Sequence, residues 1–479
     1  MKLKDIIHKG EYVSSEIDFA ENIDNITSEE ALIGSGTLFV IANSNKIPKF
    51  KCKPLAVLCD RDAKIPAEIP RIIVKEVRKM ISRAFFRFHK IDLTKIKMIA
   101  ITGTNGKTTT ATLIKSILQH SGLKVGFIGT GKISVGDRVL SGESYSMTTP
   151  DPELLYKVLS IMQNERCDAI VMEASSHALA LDKLEPLYFD YGVFTNFSSD
   201  HLDFHGTKEE YFLAKKKLFS QSKTAVLNID EPSLRKLAQG FRGRLIRVGV
   251  LWRGEVYATQ IESSVSEGIK YLYHGNNFIF ITKLQISGIY NVYNSLLALA
   301  VCIDMGLKPK DAKLALSKIS SIDGRFEIIK GRIKVIIDYA HTESAFENVM
   351  KNLVSLRKKD NTITVLFGCG GERDKKKRPK MAALAEKYAD RIIVTSDNSR
   401  GENPKDIIND IKSGFTTDKY EIIEDRQEAI IHSIKTSRDG DVVALIGKGA
   451  EKYNIDKDGY HHFDEKEIVS YALSLVPKR

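Results

Sequence analysis

The segment Ile101-Thr102-Gly103-Thr104-Asn105-Gly106-Lys107-Thr108-Thr109 places two glycines, a lysine and several hydroxyls directly behind an apolar run at 97–101. A strand entering a glycine-containing turn and then a helix, expected here over 107–120, aims successive backbone N–H groups and the positive helix end at an anion. Lys107 can reach a nucleotide's outer phosphates and a hydroxyl can hold Mg²⁺. The usual phosphate loop carries one more glycine, at the position of Ile101, so this is a variant. It points to ATP.

Further candidates sit where strands are expected to end. Met172-Glu173-Ala174-Ser175-Ser176-His177 closes one, and a carboxylate at 173 can share a Mg²⁺ with Thr108; a plain surface glutamate is the alternative. Just past another strand, Asp200, His201, Asp203 and His205 fall within six residues, which suggests metal or phosphate chemistry against the alternative of a polar turn. Lys215 belongs to Tyr211-Phe212-Leu213-Ala214-Lys215-Lys216-Lys217-Leu218, where Tyr211, Ala214 and Leu218 share a helix face with Lys215 at its edge. Three lysines in a row read as a solvated basic face, and the pattern alone does not single out the first.

Four later loops each follow an expected strand: Asp338-Tyr339-Ala340-His341, the glycine-rich 368–374, Asp397-Asn398-Ser399-Arg400, and Gly447-Lys448-Gly449-Ala450-Glu451. Together they make a polar rim with Arg373 and Arg400 for a carboxylate and Asp397 and Glu451 for an ammonium. A rim of both signs suits a zwitterionic amino acid.

The elements that must carry these loops alternate. Strands are expected at 98–102, 125–129, 169–173, 192–196 and 225–229, with helices between them including 209–220 and, after a strand-rich stretch at 255–287, one at 291–305. A second series follows the expected hinge Asp323-Gly324-Arg325, with strands at 335–339, 362–367, 391–395, 421–423 and 442–446 and helices at 343–357, 378–388, 404–412 and 464–475. Alternation of this kind predicts parallel sheets covered on both faces. The fold class is α/β in three domains: a small N-terminal α/β or mostly β unit over 1–93, a central phosphate-loop ATPase domain with a mainly parallel sheet over 94–323, and a doubly wound, Rossmann-like domain over 324–479 that lacks Gly-x-Gly-x-x-Gly.

Bulk properties narrow the class. A length of 479 residues exceeds one ordinary domain, and 43% hydrophobic with 28% charged residues is a globular composition. Met1–Lys9 has no apolar core of signal-peptide length, and no run nears the roughly 20 residues that span a bilayer. The five cysteines are scattered, which predicts reduced thiols and a cytoplasmic location. A net charge of +11 suits nucleotides as well as nucleic acid, but the densest basic cluster, 374–380, is short and lacks aromatic interleaving. Neither nucleic-acid binding nor membrane insertion is expected.

The ordered set at 102–109, 172–177, 200–206, 214–215, 288–294, 323–327 and 338–342 resembles the Mur ligases, and the four later loops resemble their tripeptide-forming, MurE-type members. The match spans about residues 97 to 470. The resemblance implies ATP-dependent addition of a diamino acid to UDP-N-acetylmuramoyl-L-alanyl-D-glutamate in peptidoglycan synthesis, by way of an acyl phosphate. Gly103, Thr104, Asn105, Gly106, Lys107, Thr108 and Thr109 would cradle the phosphates, and Asn291 and Asn294 would face the adenine. Arg325, Asp338 and His341 would complete the ATP site. Thr108, Glu173, His201 and a carbamylated Lys215 would hold two Mg²⁺ ions. Thr148, Thr149, Ser175 and Lys183 would contact the muramoyl peptide; Arg373, Asp397, Asn398, Arg400, Gly447 and Glu451 would hold the incoming amino acid. A monomer is expected.

Departures accompany the likeness. The family has proline where Ser399 stands, histidine where Ala450 stands and commonly arginine in place of Lys183, and its glycine-rich uridine loop is shortened around Asn43–Lys49. Arg400 favours meso-diaminopimelate, with lysine and ornithine as alternatives. Rival readings are a pentapeptide-forming Mur ligase, a folylpolyglutamate synthase and a nucleic-acid-dependent ATPase.

Overall fold

A computed structural model describes residues 1–42, 48–142, 145–264, 267–357 and 360–475. Residues 43–47 of the expected uridine loop lie outside the described residues.

The short apolar runs near the N-terminus form a five-stranded sheet. Asn25–Thr27, Thr37–Val40, Ala56–Cys59 and Arg71–Ile73 pair in parallel, and Ser14–Ser15 closes one edge antiparallel. Thr37–Val40 and Ala56–Cys59 are buried at every position, the mark of a sheet covered on both faces. This unit is therefore α/β rather than mostly β. Helix Val77–Phe88 covers it, burying Val77, Met80, Ile81, Ala84 and Phe85 at helical spacing.

The central sheet has eleven strands, of which seven run parallel in the order Val125–Gly129, Ala169–Glu173, Lys97–Thr102, Phe189–Phe194, Ser222–Asn228, Arg244–Gly249 and Val256–Ser264. The expected strand-rich stretch continues it antiparallel with Gly268–Gly275 and Phe278–Leu284. Register decides the placement of chemistry: Glu173 pairs with Ile101 and Phe194 with Thr102. The carboxylate and the 195–198 turn thus leave the sheet beside the glycine turn between them. The strand expected to reach 196 stops at Phe194 because the chain turns there onto the phosphate loop, with Asn196 C=O accepting from Thr104 N–H at 3.0 Å.

The last sheet has six strands. Lys334–Asp338, Val442–Ile446, Ile363–Phe367, Arg391–Val394 and Tyr420–Ile422 run parallel, and Glu327–Lys330 pairs antiparallel at the edge. Asp338 and Phe367 both register against Ile446, so loops at 338–341, 368–374 and 447–451 emerge together. A hairpin of Tyr453–Asp456 and Gly459–His462 follows, which periodicity did not announce.

Candidate active site

The glycine turn is wired to its neighbours before any ligand is considered. Asn105 N–H donates to Asn196 Oδ1 at 2.9 Å, and the Thr195 hydroxyl donates to Asn105 C=O at 2.6 Å. Gly106 adopts φ +82°, and a side chain there would meet Asn294 Oδ1 at 2.5 Å, so glycine permits both the turn and the close approach of helix Tyr290–Asp304. Asn294 and Asn291 are joined at 2.9 Å, and Asn291 donates to Ser287 C=O at 2.7 Å.

Lys107 Nζ folds back on its own loop, donating to Gly103 C=O and Thr104 C=O, each at 2.9 Å. The Thr108 hydroxyl donates to Glu173 Oε2 at 3.1 Å and accepts from Arg325 Nη2 at 3.1 Å. Glu173, fully buried, also takes Thr130 N–H on Oε1 at 2.9 Å. The Thr149 hydroxyl donates to Glu173 C=O at 2.7 Å, and Ser175 Oγ caps the short helix after it.

Lys215 is 1% exposed while Lys216 and Lys217 face solvent, which corrects the solvated-face reading for the first lysine. Its Nζ donates to Gly103 C=O at 2.8 Å and lies 4.5 Å from the Tyr211 ring centroid. Burial, with Lys107 adding, holds its amine well below the ordinary lysine range against the opposing pull of Asp200. Burial likewise takes His201 down to about 3 despite Asp200 beside it at 3.3 Å, so the imidazole is neutral. For Asp200 burial pushes the carboxyl up, but the basic groups around it, with Lys377 and Lys107 the standing cations, outweigh it and the net shift is downward.

On the third sheet, Asp338 accepts from Phe326 N–H at 2.6 Å and Ala340 N–H at 2.7 Å and so fixes the arm that delivers Arg325. Arg325 lies over the Tyr339 ring at 4.3 Å. Burial raises Asp338 and takes His341 down to about 4. Arg400 Nη1 donates to Gly371 C=O at 2.9 Å, and Asn398 Nδ2 donates to Glu451 Oε2 at 2.8 Å. Burial and then the charge of Arg400 lower Arg373. Neither guanidinium enters an ion pair among the described residues, so both charges are left to the cavity.

One cavity of about 840 Å³ gathers these groups, from the glycine turn and Glu173 to Arg373, Asp397, Arg400 and Glu451. It is continuous between the two large sheets. A nucleotide's phosphates at one end and a carboxylate-bearing amine at the other would meet within it.

Two family models match the chain: the Mur ligase middle domain over residues 101–302 and the Mur ligase glutamate ligase domain over 324–449. The chain belongs to the Mur ligase family. A UDP-N-acetylmuramoyl-L-alanyl-D-glutamate--2,6-diaminopimelate ligase of Clostridium acetobutylicum is 38% identical over 98% of each chain. One bearing the same name in Clostridioides difficile is 36% identical, covering 99% of this chain and all of its own (100%). A solved structure of a ligase so named superposes with a TM-score of 0.66 at 26% identity, covering 99% of both chains.

For this Mur ligase, every site residue expected from sequence lines the cavity except Gly103, His205 and Lys215, which lie behind its wall. Lys183 lines it but is committed to an ion pair with Asp151 at 2.5 Å. Among the described residues no three His, Cys, Asp or Glu side chains form a metal-holding group. The four expected ligands lie apart instead: Thr108 meets Glu173, His201 lies beside Asp200, and Lys215 donates to Gly103 C=O. Sequence reading missed Thr130, which follows a strand end like the others, and Lys448, which sits inside a loop whose flanking residues were chosen.

Proposed function

We propose that this Mur ligase adds a diamino acid, meso-diaminopimelate before lysine or ornithine, to UDP-N-acetylmuramoyl-L-alanyl-D-glutamate with cleavage of ATP to ADP and phosphate. The observation that carries this reading is the single cavity joining the glycine turn to a rim with two unpaired guanidiniums and two carboxylates. The names of the relatives support the same choice of substrates.

A carboxylate is a poor electrophile, and phosphorylation gives it a leaving group. ATP transfers its γ-phosphoryl to the D-glutamate γ-carboxylate; the amine attacks the acyl phosphate, gives up its proton, and the tetrahedral adduct expels phosphate to leave the amide. Lys107 and Arg325 would offset the charge of the two anions that must meet. Asn291 and Asn294 would face the adenine, with Asp338 and His341 closing the nucleotide end. Thr148, Thr149, Ser175 and Lys183 would contact the muramoyl peptide. Arg373 and Arg400 would hold the amino acid's carboxylates, and Asp397, Asn398, Gly447 and Glu451 its far ammonium end.

Magnesium fits the Thr108–Glu173 pair: a hydroxyl and a buried carboxylate 3.1 Å apart are hard oxygen donors, and phosphate and water complete such a shell. There the ion would neutralise phosphate charge. A second ion fits only after modification, because an amine is a poor partner for magnesium. A neutral Lys215 amine can add CO₂ and lose a proton, which converts it to an anion able, with the neutral His201, to support that ion.

No helix of the described residues is long and apolar enough to cross a membrane, and the five cysteines are free. A cytoplasmic location and a monomeric state belong to the same proposal. Phosphate release with ATP, the nucleotide-linked dipeptide and either diaminopimelate or lysine tests the proposal. Absence of release with every amino acid would remove it.

A further inference from the structure

Lys448 follows Gly447 at the end of strand Val442–Ile446, and its side chain is fully buried. Its Nζ donates to Asn398 Oδ1 at 2.8 Å and to Asn454 Oδ1 at 3.1 Å. It also lies 3.6 Å from Asp397 Oδ1 and 3.8 Å from Glu451 Oε2. One ammonium therefore ties the 397–398 turn, its own loop and the hairpin that starts at Tyr453. The Asn398 carboxamide is oriented as a result. Its oxygen accepts from Lys448 and from Ile455 N–H at 3.0 Å, which leaves its nitrogen to donate to Glu451 at 2.8 Å.

Burying a charge is costly, and an apolar chain of similar length would pack against Phe463, whose ring centroid lies 5.4 Å from Nζ. The charge therefore serves something besides the fold. Behind it, Arg426 Nε donates to Glu465 Oε1 at 2.8 Å, and both are buried. Three carboxylates, the buried Asp397 and Glu465 and the half-buried Glu451, thus face two buried cations, Lys448 and Arg426. With all five groups ionised, one unit of negative charge is left over at the cavity wall, where Arg400, Tyr339 and Tyr453 are the other titratable neighbours.

Resting on the functional reading above, we propose that Lys448 is a positioning residue for the incoming amino acid. It holds Asn398 and both carboxylates in one arrangement and trims their charge to a single net negative, matched to one ammonium group. Neither carboxylate is then spent on the other's repulsion.

Steady-state kinetics of full-length Lys448→Gln and Lys448→Met, with ATP, the nucleotide-linked dipeptide and meso-diaminopimelate, test this. The amino-acid KM should rise about tenfold or more while the ATP KM stays within about twofold. A cation lowers a neighbouring carboxyl's pKa, so its loss should move the acid limb of amino-acid kcat/KM upward by about one pH unit. Equal losses for all three substrates with an unmoved limb would mark Lys448 as structural and overturn the assignment. Should both variants fail to fold, Asn454→Ser removes one of its anchors at the hairpin. A smaller rise confined to the amino-acid KM supports the assignment, and an unchanged KM overturns it. A wild-type enzyme that releases no phosphate with any diamino acid overturns the functional reading, and this assignment with it.

Discussion

Thr108 opens the helix behind the glycine turn and Glu173 ends a strand 65 residues away, yet the hydroxyl and the carboxylate meet at 3.1 Å. Parallel pairing of Glu173 with Ile101 brings them together, and Thr130 N–H holds the carboxylate from the far side. Glu173→Gln keeps the shape and removes the charge. It should lower kcat by about 100-fold and weaken the dependence of rate on Mg²⁺, read by titrating the metal at saturating ATP. An unaltered metal titration would mean that this carboxylate does not face the ion.

Lys215→Ala should lower kcat by about 100-fold or more, because it removes the side chain whose carbamylation would place an anion behind the glycine turn. Short carboxylic acids in the buffer should restore part of the rate by taking the carbamate's place. Truncation of a merely structural lysine would leave a cavity that acetate does not repair. Full activity in the variant would refute the role.

Local pattern disclosed much of this site and long-range pairing disclosed the rest. The strand into the glycine turn and the helix at Lys107–His120 are written in consecutive residues, so they were legible. The strand-end rule reached Glu173, Asp338, Asp397 and Glu451 for the same reason. Lys215 was not legible as a site from periodicity. Its burial depends on Gly103, 112 positions away, and only the family likeness singled it out. Lys448 is not legible from sequence, because a lysine between two glycines carries no mark of burial and its partners Asn398 and Asn454 converge only through the sheet and the hairpin. The chain's turn at 195 also depends on a partner, the phosphate loop, which a strand pattern does not contain.

Arg400→Ala should raise the diaminopimelate KM by the equivalent of about 2–3 kcal/mol, the scale of a charged hydrogen bond, while sparing the ATP KM. Arg400 also braces Gly371 C=O at 2.9 Å, so Arg400→Lys is the informative companion. It keeps the charge and loses the bidentate fork, and should fall between the two. An unchanged preference between diaminopimelate and lysine would show that this side chain does not read the substrate.

Acid should unfold the N-terminal unit early. The Arg87 side chain, bonded to Glu11 with Nη2–Oε1 at 2.8 Å, holds that carboxyl at about 2 against an ordinary 4.5. A depressed folded-state pKa contributes stability that is present above about pH 4.5 and is lost as pH falls toward 2. The pair is partly exposed, so about 1 kcal/mol is the scale after screening. Glu11→Gln should lower the melting temperature at pH 7 and make it less steep between pH 5 and 3, followed by calorimetry or circular dichroism.

Gly324 and Gly122 separate backbone strain from steric contact. Both have positive φ, +61° and +87°. Nothing lies within 4 Å of a side chain added at Gly122, whereas one at Gly324 would run into the backbone of Gly449 and Ala450, in the loop that carries Lys448 and Glu451. Gly122→Ala should therefore cost only the left-handed conformation, about 1 kcal/mol. Gly324→Ala adds an overlap with main chain that cannot rotate away, for about 2 kcal/mol or more in total. Its relief must push the acceptor loop off the 323–325 turn, so the amino-acid KM should rise with the loss of stability. Equal melting temperatures for the two variants would show that this turn and loop do not pack as described.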